Sequence, residues 1–491
     1  MKQQDGHIIL TIEEYNKLMS EYTFLKEELA QLKRLLFGKK NERFIGENGD
    51  DKQLNLFTGA VQPAIVQEVV TEEITYERAK KEKNKPVRRI FPAHLPRIEE
   101  TVEPEDLPEG AVKLGEEITE VLEYSPGKVF VRQIVRPKYI VKDKTGENQI
   151  VIAGMPSDLP LPRANASASL LAYFMVSKFV DHLPFHRILK IFKRQEIDLS
   201  EATVNNWFAL VCKLMEPLYG ELRKQVRQSA YIQADESPMP VQTQDKQGST
   251  HKGYQWVYHS PPLKLVCFDY QKGRDRGGPI GFLEHFKGHL QTDGYAAYNG
   301  FGDRPGITLS ACWAHVRRKF EQSLQNYPSV ADHVMGEIQK LYRIEDKIRE
   351  EGISDTEISE LRNTGSKPVI DALEKYLFEQ KDIVLPKSDI GKAIHYALSL
   401  MPRLKVYLTD PGLLPDNNLV ENTIRPLALG RKNYMFAGSH ESAQRIAMMY
   451  SFFGSCKLNG VEPYGWLKHT LENILDCNIQ KLKELLPNFK K

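Results

Sequence analysis

The sequence predicts a multidomain α/β protein, and three observations carry that reading. Residues 229–315 hold five short strand-like runs interleaved with helical stretches. Residues 166–227 and 316–410 are helical in pattern. Charge also falls in opposite blocks: residues 78–89 (RAKKEKNKPVRR) carry seven basic residues and one acid, whereas residues 95–121 carry nine acids and two bases. Blocks of alternating sign mark separate modules. At ~100–200 residues per domain, 491 residues allow about three or four domains.

Composition removes several classes. With 41% hydrophobic and 27% charged residues, the chain is neither wholly disordered, collagenous nor a coiled-coil rod. Its longest near-apolar runs, 168–176 and 446–454, fall far short of the roughly 20 residues a membrane helix needs. The start, MKQQDGHIILTIEEY, lacks the apolar stretch of a signal peptide. Five cysteines without a CxxC pair point to free thiols in a reducing cytoplasm and exclude a zinc ribbon. A net charge of +2 says nothing for or against a nucleic-acid partner.

Along the chain, Tyr15, Leu18, Tyr22, Leu25, Leu29, Leu32 and Leu36 repeat at alternating spacings of three and four, with Glu and Lys on the flanks. That 3.5-residue period predicts a coiled coil over 10–37, and hence self-association. Residues 45–90 read as a basic linker. Residues 91–160 read as a small β module, with a strand in VFVRQIVRPKYIV (129–141), a turn at 143–146 and a second strand in QIVIAG. The segment 161–228 is helical, with a helix-turn-helix rhythm: a helix over 184–194, a turn, then a helix N-capped by Ser200. Such a pair places its second helix in the major groove; an ordinary helical hairpin would read the same way.

From residue 229 the order is β-β-β-α-β-α-β-α: SAYIQAD, GYQWVYHS, LKLVCFDY, a helix over 276–286, HLQTDG, GITLSACWAH, then helices. Three antiparallel strands followed by crossovers is the order of an RNase H-like domain. Two of those strands end in acids, Asp235 and Asp293. In such a sheet the first and fourth strands are neighbours, so the two carboxylates stand close and resist joint ionisation. A divalent cation relieves the conflict, and all-oxygen ligands favour Mg²⁺ or Mn²⁺ over zinc. Glu421, in DNNLVENTIRP, is the candidate third acid. Asn418, Glu421 and Arg425 share one helix face; the helix is expected to end before Pro426, leaving Arg431 and Lys432 on a basic loop. Gaps of 58 and 128 residues separate the acids, the second wide enough for a helical insertion. Two metals about 3.5–4 Å apart would activate the nucleophile and stabilise the leaving oxygen. Asp293 and Glu421 have plainer readings too, as a turn residue before Gly294 and a solvated helix acid. Glu236 is set aside, because a continuing strand turns it to the other face.

Several blocks, in this order, resemble transposases of the insertion-sequence-66 family nearly end to end. They are LLFGKKNERF after the heptads, VSKFVDHLPFHRILKIFKRQEIDLSEATVNNW, YIQADESP, LQTDGYAAYN, CWAHVRRKF, DNNLVENTIRPLALGRKNYMFAGS and SCKLNGVEPYGWLKHTLENI. The resemblance implies a DDE transposase with an RNase H-like core over 229–440, a helical insertion at about 320–410 and a C-terminal helical segment over 441–491. It implies Asp235, Asp293 and Glu421 as catalytic ligands of Mg²⁺ or Mn²⁺. DNA is the implied partner, at element ends and target. Oligomerisation is expected through residues 1–44. The family's cysteine-rich zinc segment has a counterpart here in 91–160 with no cysteine, which makes zinc unlikely. His315, Arg318, Arg425, Arg431, Lys432 and Asn418 are candidate phosphate contacts. His315 with Arg318 reads equally as a packing histidine beside a surface arginine. Two rival functions use the same residues: a non-catalytic DNA-binding regulator, and a metal-dependent nuclease without strand transfer.

Overall fold

The computed structural model describes residues 166–243 and 249–489, and before them 2–4, 7–9, 127, 129–130, 138–142, 148–152 and 159–161. The expected coiled coil over 10–37 and linker over 45–90 lie outside the described residues. The chain divides into two compact units, residues 41–153 and the rest. The larger unit opens with a short antiparallel hairpin, β1 (Lys2–Gln4) and β2 (His7–Ile9). The smaller unit contains a second hairpin, β3 (Lys138–Lys142) and β4 (Asn148–Ile152), registered Lys138 to Ile152 and Lys142 to Asn148. Its first strand overlaps the end of the expected 129–141 run, of which residues 131–137 lie outside the described residues; Val129 and Phe130 are exposed.

Helices α1 (Ala168–Phe179), α2 (Phe185–Lys193) and α3 (Glu201–Arg227) follow. Ser167 and Ser200 cap α1 and α3, each accepting a backbone N–H of the first turn. Phe174, Phe185, Phe192 and Trp207 interlock the three helices through tilted and edge-on ring contacts.

The central sheet has the order β7-β6-β5-β8-β9. Strands β5 (Tyr231–Gln242), β6 (Thr250–Ser260) and β7 (Leu265–Gln271) are antiparallel; β8 (Gly288–Thr292) and β9 (Ile307–Ala311) join β5 in parallel. Between β7 and β8 lies α4 (Gly277–Phe282), shorter than expected. Strand β5 does not end at Asp235. It continues to Gln242 because β6 pairs with it from Gln233 to Gln242, whereas β8 pairs only as far as Gln233 opposite Gln291.

Helix α5 (Trp313–Ser323) begins directly after β9. Residues 313–315, expected at the end of a strand, are therefore its first turn. A helical group with its own apolar core follows: α6 (Pro328–Glu351), α7 (Asp355–Leu361), a π-helical turn (Arg362–Ser366), α8 (Lys367–Lys381) and α9 (Asp389–Leu404). The chain then returns to the sheet as α10 (Asn418–Tyr434), α11 (His440–Asn459) and α12 (Pro463–Asn473).

Helix α11 is buried on nearly every side and lies along the edge strand β7. An open edge would leave outward N–H groups without partners. Here Phe268 N–H donates to Ser451 Oγ (2.8 Å) and Val266 N–H to Ser455 Oγ (3.1 Å). Gly454 allows the approach, since a Cβ there would lie 2.6 Å from Val266. Among the described residues, no helix is long and apolar enough to cross a membrane.

Candidate active site

Parallel pairing of β5 and β8 stops at Gln233 and Gln291, each two residues before an aspartate. Asp235 lies within β5 beyond the last pair, and Asp293 just past the end of β8. Residues two apart on a strand share a face, so Asp235 lies on the face of Gln233. Asp293 follows β8 directly. Its Oδ1 accepts the Tyr295 N–H (2.8 Å), and its carbonyl oxygen accepts the Tyr396 hydroxyl from α9. Gly294 makes the turn possible: its φ is +87°, and a Cβ there would meet Leu400 at 2.8 Å.

Glu421 sits on the first turn of α10, which packs on β5 and β6. Its carboxylate meets two residues of α5: Arg318 Nη2 lies 3.3 Å from Oε2, and His315 Nε2 lies 3.6 Å from Oε1. The last distance is an electrostatic contact, too long for a hydrogen bond. Glu421 Oε1 is buried without a hydrogen-bond partner. Two acids distant in sequence, Asp293 and Glu421, thus bear on Asp235. Burial raises the Asp235 carboxyl well above the ordinary value, and the charges of Glu236, Asp293 and Glu421 push the same way against a 2.7 Å bond from the Glu236 N–H. Burial and Arg318 lower the His315 imidazole, opposed by Glu421 and Asp293.

The remaining candidates separate. Asn418 is exposed and turned to Asp416, with Nδ2 donating to its carboxylate at 2.9 Å. Arg425 lies on the exposed side of α10, one turn beyond Glu421. Arg431 and Lys432 are not on a loop: α10 runs through Pro426 to Tyr434. A mid-helix proline loses one backbone bond, but burial of Val420, Thr423, Leu427 and Gly430 holds the helix together on both sides of it. At 1.5 Å per residue, Arg431 is then roughly 15 Å along the axis from Glu421. It lies beside Tyr434 and Tyr450, and burial there lowers its guanidinium from the ordinary range.

Some residues escaped the sequence reading. Glu236 does turn away from Asp235, its buried carboxylate pairing with the partly exposed Arg274, whose guanidinium stacks 4.0 Å above the Tyr295 ring. Burial raises its carboxyl, with Arg274 opposing. Gln233 and Gln291 are fully buried on the sheet. The repeated pattern Gln-x-Asp, at 233–235 and 291–293, was the available signal for them.

The donor set suits a hard divalent cation. All three acids offer oxygen, their mutual repulsion needs a counter-charge, and one Glu421 oxygen is buried without a hydrogen bond. They do not form a finished cage: among the described residues, no three His, Cys, Asp or Glu side chains stand grouped to hold a metal.

Comparison with known proteins gives three family matches. The model described as "Transposase IS66 family" matches residues 163–445, "Transposase C of IS166 homeodomain" matches 24–99, and "IS66 C-terminal element" matches 451–488. Two uncharacterized proteins of Sinorhizobium fredii (strain NBRC 101917 / NGR234) are similar over almost the full chain. Protein y4qI is 31% identical, covering 94% of this chain and 88% of its own length; y4jD is 30% identical, covering 95% and 94%.

Proposed function

The chain belongs to the IS66 family of transposases, and from that premise we propose that it cleaves the ends of an insertion element and joins their 3′-hydroxyls to target DNA. What supports this reading is that the charges of Asp293, just after β8, and Glu421, on α10, both bear on the buried Asp235 of β5, two residues beyond the last β5–β8 pair. The strand order β7-β6-β5-β8-β9, antiparallel then parallel, supports an RNase H-like core.

In this proposal Asp235, Asp293 and Glu421 hold Mg²⁺ or Mn²⁺. When bound, the cation supplies Lewis-acid activation of water, then of the 3′-hydroxyl, and stabilises the leaving oxygen. The chain's own residues do the rest. Arg318 and His315 orient the Glu421 carboxylate, and the Tyr295 N–H orients that of Asp293. Arg425, on the exposed side of α10, is offered to backbone phosphates, which position DNA without reading sequence. Segment 161–228 is assigned to DNA binding, 1–44 to oligomerisation, 91–160 to a zinc-less β module and about 320–410 to the insertion. The protein is placed in the cytoplasm, on DNA.

Asp235→Asn tests the reading with a pre-cut 3′-hydroxyl element end, target DNA and Mg²⁺. Losing even an outer partner of a metal ligand typically costs 10–100-fold, so joined product should fall below about one hundredth. Full joining by the variant refutes the three-acid site, and wild-type protein that binds the end but neither nicks nor joins favours a DNA-binding regulator. Wild-type protein that only nicks target, never joining the end, favours a nuclease.

A further inference from the structure

Gln233 and Gln291 are cross-strand partners in the last rung of the β5–β8 pairing, and both are 0% exposed. A buried amide destabilises a core unless its hydrogen bonds are met. Here they are met partly on the sheet, by the Ala311 carbonyl and the Tyr231 hydroxyl, and partly by one segment from far along the chain. Gln233 Nε2 donates to the Asp416 carbonyl (2.9 Å), and Gln233 Oε1 accepts the Val420 N–H (3.3 Å). Gln291 Nε2 donates to the Leu414 carbonyl (2.8 Å). The two amides are joined to each other, Nε2 to Oε1 at 2.9 Å, and the Tyr231 hydroxyl donates to Gln291 Oε1 at 2.5 Å. The segment they grip, 414–420, leads straight into Glu421.

Glu421 is 128 residues from Asp293, with a helical insertion between, so no local geometry sets it against the other two acids. The glutamines do so from the sheet, each two residues before an aspartate. We infer that Gln233 and Gln291 are positioning residues that register the start of α10 against β5 and β8, and so place Glu421 relative to Asp235 and Asp293. This role rests on the three-acid reading. A misplacement of about 1 Å at a reacting centre can cost 10²-fold, so buried amides with no contact to substrate gain a function in rate.

The test uses the full chain with Gln233→Met and Gln291→Met, of similar volume but without amide donors. Hydrogen–deuterium exchange of the metal-free, DNA-free protein should accelerate at least tenfold within 414–421 and stay unchanged in β6 and β7. Strand transfer should lose about 10–100-fold in kcat, with KM for the DNA end within about twofold. Unchanged exchange at 414–421, an unchanged kcat, or exchange that rises equally across the sheet overturns the role. If a methionine variant does not fold, Gln233→Asn and Gln291→Asn keep an amide in the core but one methylene short, and the same pattern is expected. Asp235→Asn run alongside separates the two ideas. An inactive Asp235→Asn beside fully active glutamine variants overturns positioning alone. An active Asp235→Asn overturns the three-acid reading and the positioning role with it.

Discussion

Lys178 shows how far a single residue can stand from its ordinary chemistry. Its ammonium lies 3.9 Å from the Phe185 ring centroid and 5.6 Å from that of Tyr434, in the apolar junction of α1 with α2 and α10. Burial lowers its pKa from 10.5 to about 8, with Glu201 opposing weakly from α3. Cation–π contacts return only part of the lost hydration. The sign follows from linkage: between pH 8 and 10.5 the unfolded chain binds more protons at this site than the native one, so stability rises with pH there. Below pH 8 the full penalty applies. Lys178→Met should therefore raise stability at pH 7 by about 1–3 kcal/mol and remove that rise, as read from denaturant midpoints across the pH range.

At the scale of elements, a buried arginine joins the helical group after β9 to the segment that leads into α10. Arg362, in the π-helical turn, donates twice to Glu345 of α6, at 2.8 and 2.7 Å. Its other N–H groups bond the carbonyls of Tyr407, Asp410 and Leu413, on the path toward α10. Removing one partner strands a buried charge, which typically costs 3–5 kcal/mol, whereas replacing both with apolar residues costs far less. Arg362→Leu should destabilise by about that amount in thermal unfolding. Arg362→Leu with Glu345→Leu should recover much of the loss, short of the carbonyl bonds that only the arginine makes.

For the whole molecule, the heptad seam sets a further expectation. Leu25 and Leu32 occupy it one heptad apart, and a lysine pair at these positions would put charge into the joint. Under the proposed oligomerisation through residues 1–44, Leu25→Lys with Leu32→Lys should sediment as a monomer where the wild type does not, with the far-ultraviolet spectrum of the core intact. An unchanged mass would show that association runs through another surface. DNA binding by either form should weaken steeply with salt, since phosphate contacts release counterions.

Much of the fold was legible in the chain because it rests on local pattern. Alternation marked the strands of the sheet, Ser200 marked a helix start, and Asp235, Asp293 and Glu421 were read as candidate acids at two strand ends and on a helix face. What the chain could not disclose is set by partners distant in sequence. Strand β5 outruns Asp235 because β6 pairs there. Helix α10 passes Pro426 because its buried face outweighs one missing backbone bond, and that carries Arg431 and Lys432 away from the acids. Glu236 is an ion pair only because Arg274 folds back over it, and Gln233 and Gln291 take their meaning from a segment more than a hundred residues later. Residue identity and periodicity act over a few positions, and the sequence states them outright. Register, burial and charge coupling are sums over contacts that exist only once the chain has closed on itself.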